Sequence, residues 1–394
     1  MIDKIFNEID DIKDEIFQLS RNIHQNPELC YEEHLSSAFI KDVLKKHGFL
    51  IEDNSGGMET AFKARFKGCC DGPVVAFLAE YDALPGIGHG CGHNLIASVS
   101  TGAAIGLSKL MGQIGGEVVL MGTPAEEGGG GKVILLEKGE FDDIDYALMT
   151  HPSTENLIGR GGLATTGMEI TFTGVSAHSA APEDGVNALQ GVIQTFNMID
   201  AVRALLPLKA NINGIITKGG IATNIIPDYA QCRLSVRAGS FGDLKAVINR
   251  IRNAVAAAEQ LTGAKSTIVT GRVYAERYPN LTIGEVFKTY MEKQGETVNY
   301  PDPTAKIGSS DIGNVTLKIP AIHAYIKITD EKIVSHSLEF TKASITEKAH
   351  DITLKAAKAL ACAGYEILTD ENLRVEIQKE FDSKVPIYSS MSLD

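Results

Sequence analysis

The chain has 394 residues, 44% of them hydrophobic and 22% charged, a balance that supports a large core and, at about 150 residues per domain, two or three domains. Its 50 acidic and 37 basic residues give a net charge of −13, which argues against a nucleic-acid backbone or an anionic membrane as the main partner. The first residues are acidic and amphipathic rather than signal-like, and no run approaches the ~20 apolar residues of a membrane span. Six cysteines without a CxxC pair or a regular framework read as reduced thiols, so the expected location is cytoplasmic. Cys69 and Cys70 fall in a turn-like GCCDG and read as loop thiols.

Isoleucines and a leucine at 5, 9, 12, 16, 19 and 23 repeat at spacings of four and three, which predicts one amphipathic helix closing near Pro27. A second helix is expected over residues 32–47, with Gly48 as its C-terminal cap. Residues 60–67 alternate as a strand does. Residues 74–79 (VVAFLA) form a continuous apolar run of the buried, parallel type. Asn94 can cap a helix running to Met111. Strands are expected at 117–121 and 146–149, with a short helix at 132–138 between them. This strand–helix alternation predicts a doubly wound α/β sheet.

A different rhythm starts near residue 164. Strand 167–173, helix 186–205, strands 211–218 and 229–238, helix 244–261 and strand 266–274 spell β-α-β-β-α-β, a ferredoxin-like unit. The expected organisation is therefore a mixed-sheet α/β catalytic domain over residues 1–163 and 279–394, with an inserted ferredoxin-like domain over 164–278. Helix 285–293, strand 321–328 and a long helix over 341–363 complete the first domain. Residues 369–394 read as a surface helix and tail.

In an open α/β sheet, ligands bind beyond the carboxyl ends of the strands. Asp82 follows the first buried strand, Glu126 and Glu127 the second, and His151 the third. Within residues 82–94 (DALPGIGHGCGHN), glycines flank Cys91 and His93 and allow both side chains to face one point. His89 lies in the same run. Thiolate, imidazole and carboxylate are the side chains that hold a zinc-like cation. Adjacent glutamates in an extended segment point apart, so one can bind metal while the other faces a reacting water. The glycines after Glu127 do not make a P-loop, because GxxxxGK[ST] would need Gly at 126 and Ser or Thr at 133, where Glu126 and Val133 stand.

At these residues the chain resembles the aminoacylase and carboxypeptidase group of dinuclear metallohydrolases, metallopeptidase family twenty, in its amidohydrolase branch. The resemblance rests on residues 82–94, PAEEGGGG (124–131), His151-Pro152, FTGVSAHSAAPEDGVNAL (172–189), TNIIPD (223–228), GSSDIGNV (308–315) and SHSLEF (335–340). It implies Cys91 as a ligand bridging two metals, with His93, Glu127, His151 and His336 as the other ligands. It implies Glu126 as general base, Asp82 as an orienting carboxylate, and His178 as the oxyanion donor. Asn224 and Arg237 would hold the carbonyl and carboxylate of a small-molecule N-acyl amino acid or peptide. The implied reaction is amide hydrolysis by a metal-activated water. The implied cofactors are two divalent ions: the Cys91 thiolate favours zinc, and manganese or cobalt also suit the set. A homodimer through the inserted domain, pairing further to a tetramer, is the implied assembly. One departure is Glu80-Tyr81-Asp82, where the peptidase branch carries HxD.

Three other readings stand beside this one. A dipeptidase or broader peptidase would use the same site. A thiol hydrolase would make Cys91 the nucleophile, with His93 or His151 as base. A non-catalytic binding protein would have lost a ligand or the base, and neither is missing.

Overall fold

The computed structural model describes residues 1–393. Ten strands occur among them: β1 (Leu50–Asp53), β2 (Phe62–Lys67), β3 (Val74–Ala79), β4 (Glu117–Gly122), β5 (Tyr146–Ser153), β6 (Ala164–Thr173), β7 (Asn211–Lys218), β8 (Tyr229–Ala238), β9 (Lys265–Thr270) and β10 (Ala321–Lys327). The chain divides into two compact units, Met1–Gly161 with Arg277–Ile387, and Gly162–Glu276 with Tyr388–Asp394.

The first unit carries one sheet in the order β1-β2-β4-β3-β5-β10. Strands β3, β4, β5 and β10 run parallel, and β1 and β2 add an antiparallel edge. β3 is apolar along its length because helices cover both faces of a parallel sheet. One of them, His93–Ser108, is buried at every position and packs against helix Glu347–Thr369. All the parallel strands end on one edge, and the loops leaving that edge carry most of the expected site residues.

Several local expectations change. The apolar stripe over residues 5–23 folds as two helices, Ile2–Asp11 and Lys13–Gln25, broken at Ile12. The periodicity could not report the break, because Ile12 still packs against the core. Asn94 does not cap its helix. The helix begins at His93 after Gly92, and the buried Asn94 amide donates to Ser20 Oγ (2.9 Å) and the Ser344 carbonyl (3.0 Å). The long helix expected over 341–363 is two helices, Leu338–Ala343 and Glu347–Thr369, the second capped by the Thr346 side chain on Ala349 N–H. The short strand β1 and helix Ile312–Lys318 carry too little pattern to be read from sequence.

The second unit is a four-stranded antiparallel sheet, β7-β8-β6-β9, with helices Ala188–Val202 and Phe241–Thr262. Ala164, Thr166, Met168, Ile170 and Phe172 of β6 are buried in alternation, the period of a sheet with one covered face. The tail differs from expectation. Residues 388–393 group with this unit, because Tyr388, Met391 and Leu393 pack on its core. Asp394, the last residue of the expected tail, lies outside the described residues.

Candidate metal centre

Glu80 and Asp82 leave the end of β3, two residues apart and so on one side of the extended chain. Glu126 and Glu127 follow β4. His151 lies within β5, which runs on through Ser153 rather than stopping at Met149. Cys91 and His93 flank Gly92, whose φ is +73° and where a Cβ would lie 2.9 Å from the Pro152 ring. Only glycine satisfies both conditions, so the turn that aims Cys91 and His93 requires it. Two non-glycine residues beside the site are also left-handed, Ala125 (φ 59°) and His336 (φ 63°). Such backbone costs on the order of 1 kcal/mol per residue and persists where neighbours fix it. Here the buried Glu33 accepts from the Ala125 N–H at 2.8 Å, and the Gly90 carbonyl accepts from the His336 N–H at 2.9 Å.

The ligand-type atoms of Glu80, His93 and His151 lie within 4.8 Å of one another, as do those of Cys91, His93 and Glu127, and those of Glu80, Glu126 and Asp311. His336 Nε2 is 3.6 Å from Glu127 Oε1. The tautomers follow from the partners. Asp82 Oδ1, an ionised acceptor, is 2.9 Å from His93 Nδ1, so Nδ1 donates and Nε2 faces the cluster. The Pro152 carbonyl likewise accepts from His151 Nδ1 at 2.8 Å, which leaves His151 Nε2 for a ligand. Asp82 Oδ2 accepts from the Glu127 N–H at 2.9 Å, so one carboxylate positions an imidazole and a glutamate together.

Burial opposes the charge on Asp82, but His93 outweighs it and holds the carboxyl down at about 2. Burial also opposes the charge on Glu80, yet Lys132, His93 and His151 together keep its carboxyl below the usual range. Glu126 differs: burial, with the charges of Glu80 and Glu127, pushes its carboxyl well above the usual range. Burial and the neighbouring Glu127, Glu126 and Asp82 push the Cys91 thiol up. A free thiolate nucleophile is disfavoured in such surroundings, whereas a thiolate held by a cation is not.

The donor set fits a divalent cation. Among the described residues, the buried Glu80 Oε2 and His93 Nε2 have no hydrogen-bond partner. They face each other at 3.4 Å, beyond hydrogen-bond length. Thiolate, imidazole and carboxylate around one point are donors for zinc and its neighbours.

Three residues here were not singled out from sequence. Glu80 had a signal, its two-residue spacing from Asp82. Lys132 is fully buried and pairs with Glu80 Oε1 (2.6 Å) and Asp311 Oδ1 (2.7 Å). A lysine opening the apolar segment GKVILLE was its only signal. Asp311 stands in the resembling segment GSSDIGNV, but nothing there ties it to Lys132, far away along the chain. His89, in contrast, is used structurally, with Nε2 3.1 Å from the Ile23 carbonyl and its ring beside His24.

His178, Asn224 and Arg237 lie in the second unit. His178 and Asn224 are exposed, and their segments join through a His178–Ile225 bridge and the Ser179 N–H on the Asn224 carbonyl (3.0 Å). Arg237, on β8, is opposite Thr165 and Asn211.

Parallel strands whose ends deliver thiol, imidazole and carboxylate around an uncommitted pair of buried ligand atoms form a candidate divalent-metal centre, and the class of protein follows from its relatives. Residues 158–261 match the M20 peptidase dimerisation domain. The chain is 34% identical to the Xaa-Arg dipeptidase of Mus musculus over 96% of its own length and 91% of that protein. It is 27% identical to one of the subunits of the p-aminobenzoyl-glutamate hydrolase of Escherichia coli (strain K12), over 92% and 91% of the two chains. Among solved structures, a dinuclear metal-binding peptidase of the M20 family from Bacillus subtilis superposes with a TM-score of 0.70 at 20% identity, covering 91% of this chain and 99% of that one, a likeness of fold. The chain belongs to the M20 family of metallopeptidases and amidohydrolases, and it is a hydrolase of amide C–N bonds.

Proposed function

We propose that the protein hydrolyses the amide bond of N-acyl or aminoacyl amino acids, with Glu126 as general base. The supporting observation is the contrast among the buried carboxylates: Asp82 and Glu80 are held ionised, while Glu126 holds its proton far more tightly. A base must take a proton from water and release it to the leaving amine, and a raised carboxyl accepts a proton more readily than an ordinary one. Cys91, His93, Glu127, His151 and His336 would hold two divalent ions; Cys91 favours zinc, and manganese or cobalt also fit. Bound there, the ions would polarise the substrate carbonyl and make water nucleophilic at neutral pH. Asp82 and the Pro152 carbonyl fix the imidazole tautomers, so the ligand nitrogens need no rearrangement. We assign the oxyanion contact to His178 and substrate contacts to Asn224 and Arg237; the resemblance of segments 172–189 and 223–228 supports the first two, and the family resemblance as a whole implies the third.

The Xaa-Arg dipeptidase relative favours a second reading, in which the substrate is a dipeptide with a basic C-terminal residue. The exposed edge strand β7, with Ile215 and Ile216 outward, and the dimerisation-domain match support a homodimer. The six free cysteines support a reducing, cytoplasmic location, and no helix among the described residues is long and apolar enough to cross a membrane. The test is metal content per chain, with hydrolysis of an N-acetyl amino acid and an Xaa-Arg dipeptide measured before and after chelation. Chelator-sensitive, metal-restored turnover is expected, and the two rates rank the substrates. Glu126→Gln should keep its metal and lose about 10²–10⁴-fold in kcat. Full activity without metal would refute the mechanism.

A further inference from the structure

We infer that Glu80 is itself a cation ligand, adding a buried carboxylate oxygen to the metal position that His93 and His151 would form. The inference rests on the metallohydrolase reading above and adds a ligand to it. Three observations carry it.

First, Glu80 is fully buried and its two oxygens have different surroundings. Oε1 is committed to Lys132 Nζ at 2.6 Å. Oε2 has no hydrogen-bond partner among the described residues. A buried carboxylate oxygen without a donor is costly, and buried charges are normally paired or bound to a metal.

Second, the spacing suits a shared ion better than a hydrogen bond. Glu80 Oε2 and His93 Nε2 are 3.4 Å apart. Two donors each about 2.0–2.1 Å from one tetrahedral ion stand about 3.4 Å apart by trigonometry. An N–H···O bond would instead bring them to about 2.9 Å. A ligand-type atom of His151 completes the group within 4.8 Å, and the His151 tautomer leaves Nε2 available.

Third, Glu80 is fixed as ligands are fixed. Lys132 Nζ bridges Glu80 and Asp311, while the Lys132 N–H donates to Asp311 Oδ2 at 2.9 Å. Lys132 therefore supplies both a counter-charge and an anchor, and only Oε2 is left to face the imidazoles. This is the outer support that orients a metal-bound carboxylate.

The consequence is for metal preference. Glu80, His93 and His151 offer one oxygen and two nitrogens, a set that accepts manganese or cobalt readily. Cys91, whose sulfur lies within reach of His93 and Glu127, would favour zinc where it binds.

The test is calorimetric titration of chelated wild-type protein and of Glu80→Gln with Mn²⁺ and with Zn²⁺, alongside visible spectra of the Co²⁺-substituted forms. Wild type should show two sites. In Glu80→Gln one site should weaken at least about tenfold, more for Mn²⁺ than for Zn²⁺, as expected when an anionic oxygen ligand is lost. The other site should be unchanged, and the Co²⁺ absorption should shift. Should Glu80→Gln fail to fold, Glu80→Asp carries the test: it keeps the charge beside Lys132 and shortens the reach by one methylene, and the same selective loss is expected. Two wild-type-like sites with an unaltered Co²⁺ spectrum in the folded variant overturn the assignment of Glu80 alone. A wild-type protein that binds no divalent ion overturns the metallohydrolase reading, and this inference with it.

Discussion

Asp82→Asn changes almost no volume and isolates what one carboxylate does for the site. In the native protein, Oδ1 accepts from His93 Nδ1 and Oδ2 from the Glu127 N–H, both at 2.9 Å, with the Cys30 sulfur 3.6 Å from Oδ2. An asparagine has one acceptor oxygen and an NH₂ group. If the oxygen turns to His93, the NH₂ meets the Glu127 N–H, donor against donor. A bond to a charged acceptor is lost and a backbone donor goes unpaired, at a cost of about 2–3 kcal/mol. If the oxygen turns to Glu127, the NH₂ meets His93 Nδ1. The imidazole must then carry its proton on Nε2, the atom that faces the cluster, and it cannot bind an ion. Only the first arrangement binds metal, so affinity should fall about 10–100-fold, equivalent to about 1.4–2.7 kcal/mol. Urea unfolding of the chelated protein reads the first quantity, and competition against a fluorescent zinc chelator reads the second. A variant with native affinity and native unfolding midpoint would refute the view that Asp82 sets the tautomer of His93 and the position of Glu127.

Other substitutions separate the remaining elements. Cys91→Ser should lower bound metal together with activity; an inactive variant with full metal content would instead favour a thiol nucleophile. Lys132→Met would leave Glu80 and Asp311 facing each other without their cation, and should cost about 3–5 kcal/mol in denaturant unfolding. An unchanged midpoint would show that the two carboxylates are otherwise balanced. His350 is buried, its ring stacked on Phe17 at 4.7 Å, and burial with nearby Arg21 and His24 lowers its pKa to about 4. The unfolded chain, with a histidine pKa of about 6.5, binds more protons between those values. Its contribution is therefore intact above about 6.5 and is lost as pH falls towards 4, by up to about 3 kcal/mol at about 1.4 kcal/mol per unit. His350→Leu should flatten the loss of unfolding free energy between pH 7 and 5, and an unchanged slope would assign the acid sensitivity elsewhere.

Much of the fold is legible in the chain because local and global signals agree. VVAFLA is apolar on both faces as a central parallel strand must be, and the alternation along β6 marks a sheet covered on one side. The site was legible where a strand end coincides with a metal-type side chain, as at Asp82, Glu126 and Glu127. Sequence pattern failed where tertiary contacts decide. Ile12 breaks a helix without leaving the core. Asn94, a good cap by residue type, is drawn inside by Ser20 and the Ser344 carbonyl. Lys132 and Asp311 meet from 179 positions apart in the chain, and no periodicity encodes that pairing. His178 and Asn224 were reached only through the resemblance of whole segments, and Arg237 only through the family resemblance outside them; nothing in their spacing singles them out.

The charge placed at this edge of the sheet links the fold to the chemistry. Glu80, Asp82, Glu126 and Asp311 are all buried, and the Glu127 side chain is only 14% exposed. Burying a single carboxylate costs several kcal/mol even after relaxation. Lys132 offsets part of that cost by pairing with Glu80 and Asp311, and His93 offsets part by its bond to Asp82. The remainder stays uncompensated, and at Glu126 it pushes the carboxyl well above the usual range. A fold selected for stability alone would replace such a cluster with apolar side chains, as surrounds β3. The cluster persists because the large core beneath it tolerates the cost, and because the same excess of buried donors that destabilises the site gives divalent cations their affinity. The left-handed backbone at Ala125 and His336 belongs to the same trade, since both residues aim side chains or neighbours at the cluster and both are held by hydrogen bonds from outside it. Stability given up at the strand ends thus becomes binding free energy for cations and a raised carboxyl at Glu126, the two properties that amide hydrolysis requires.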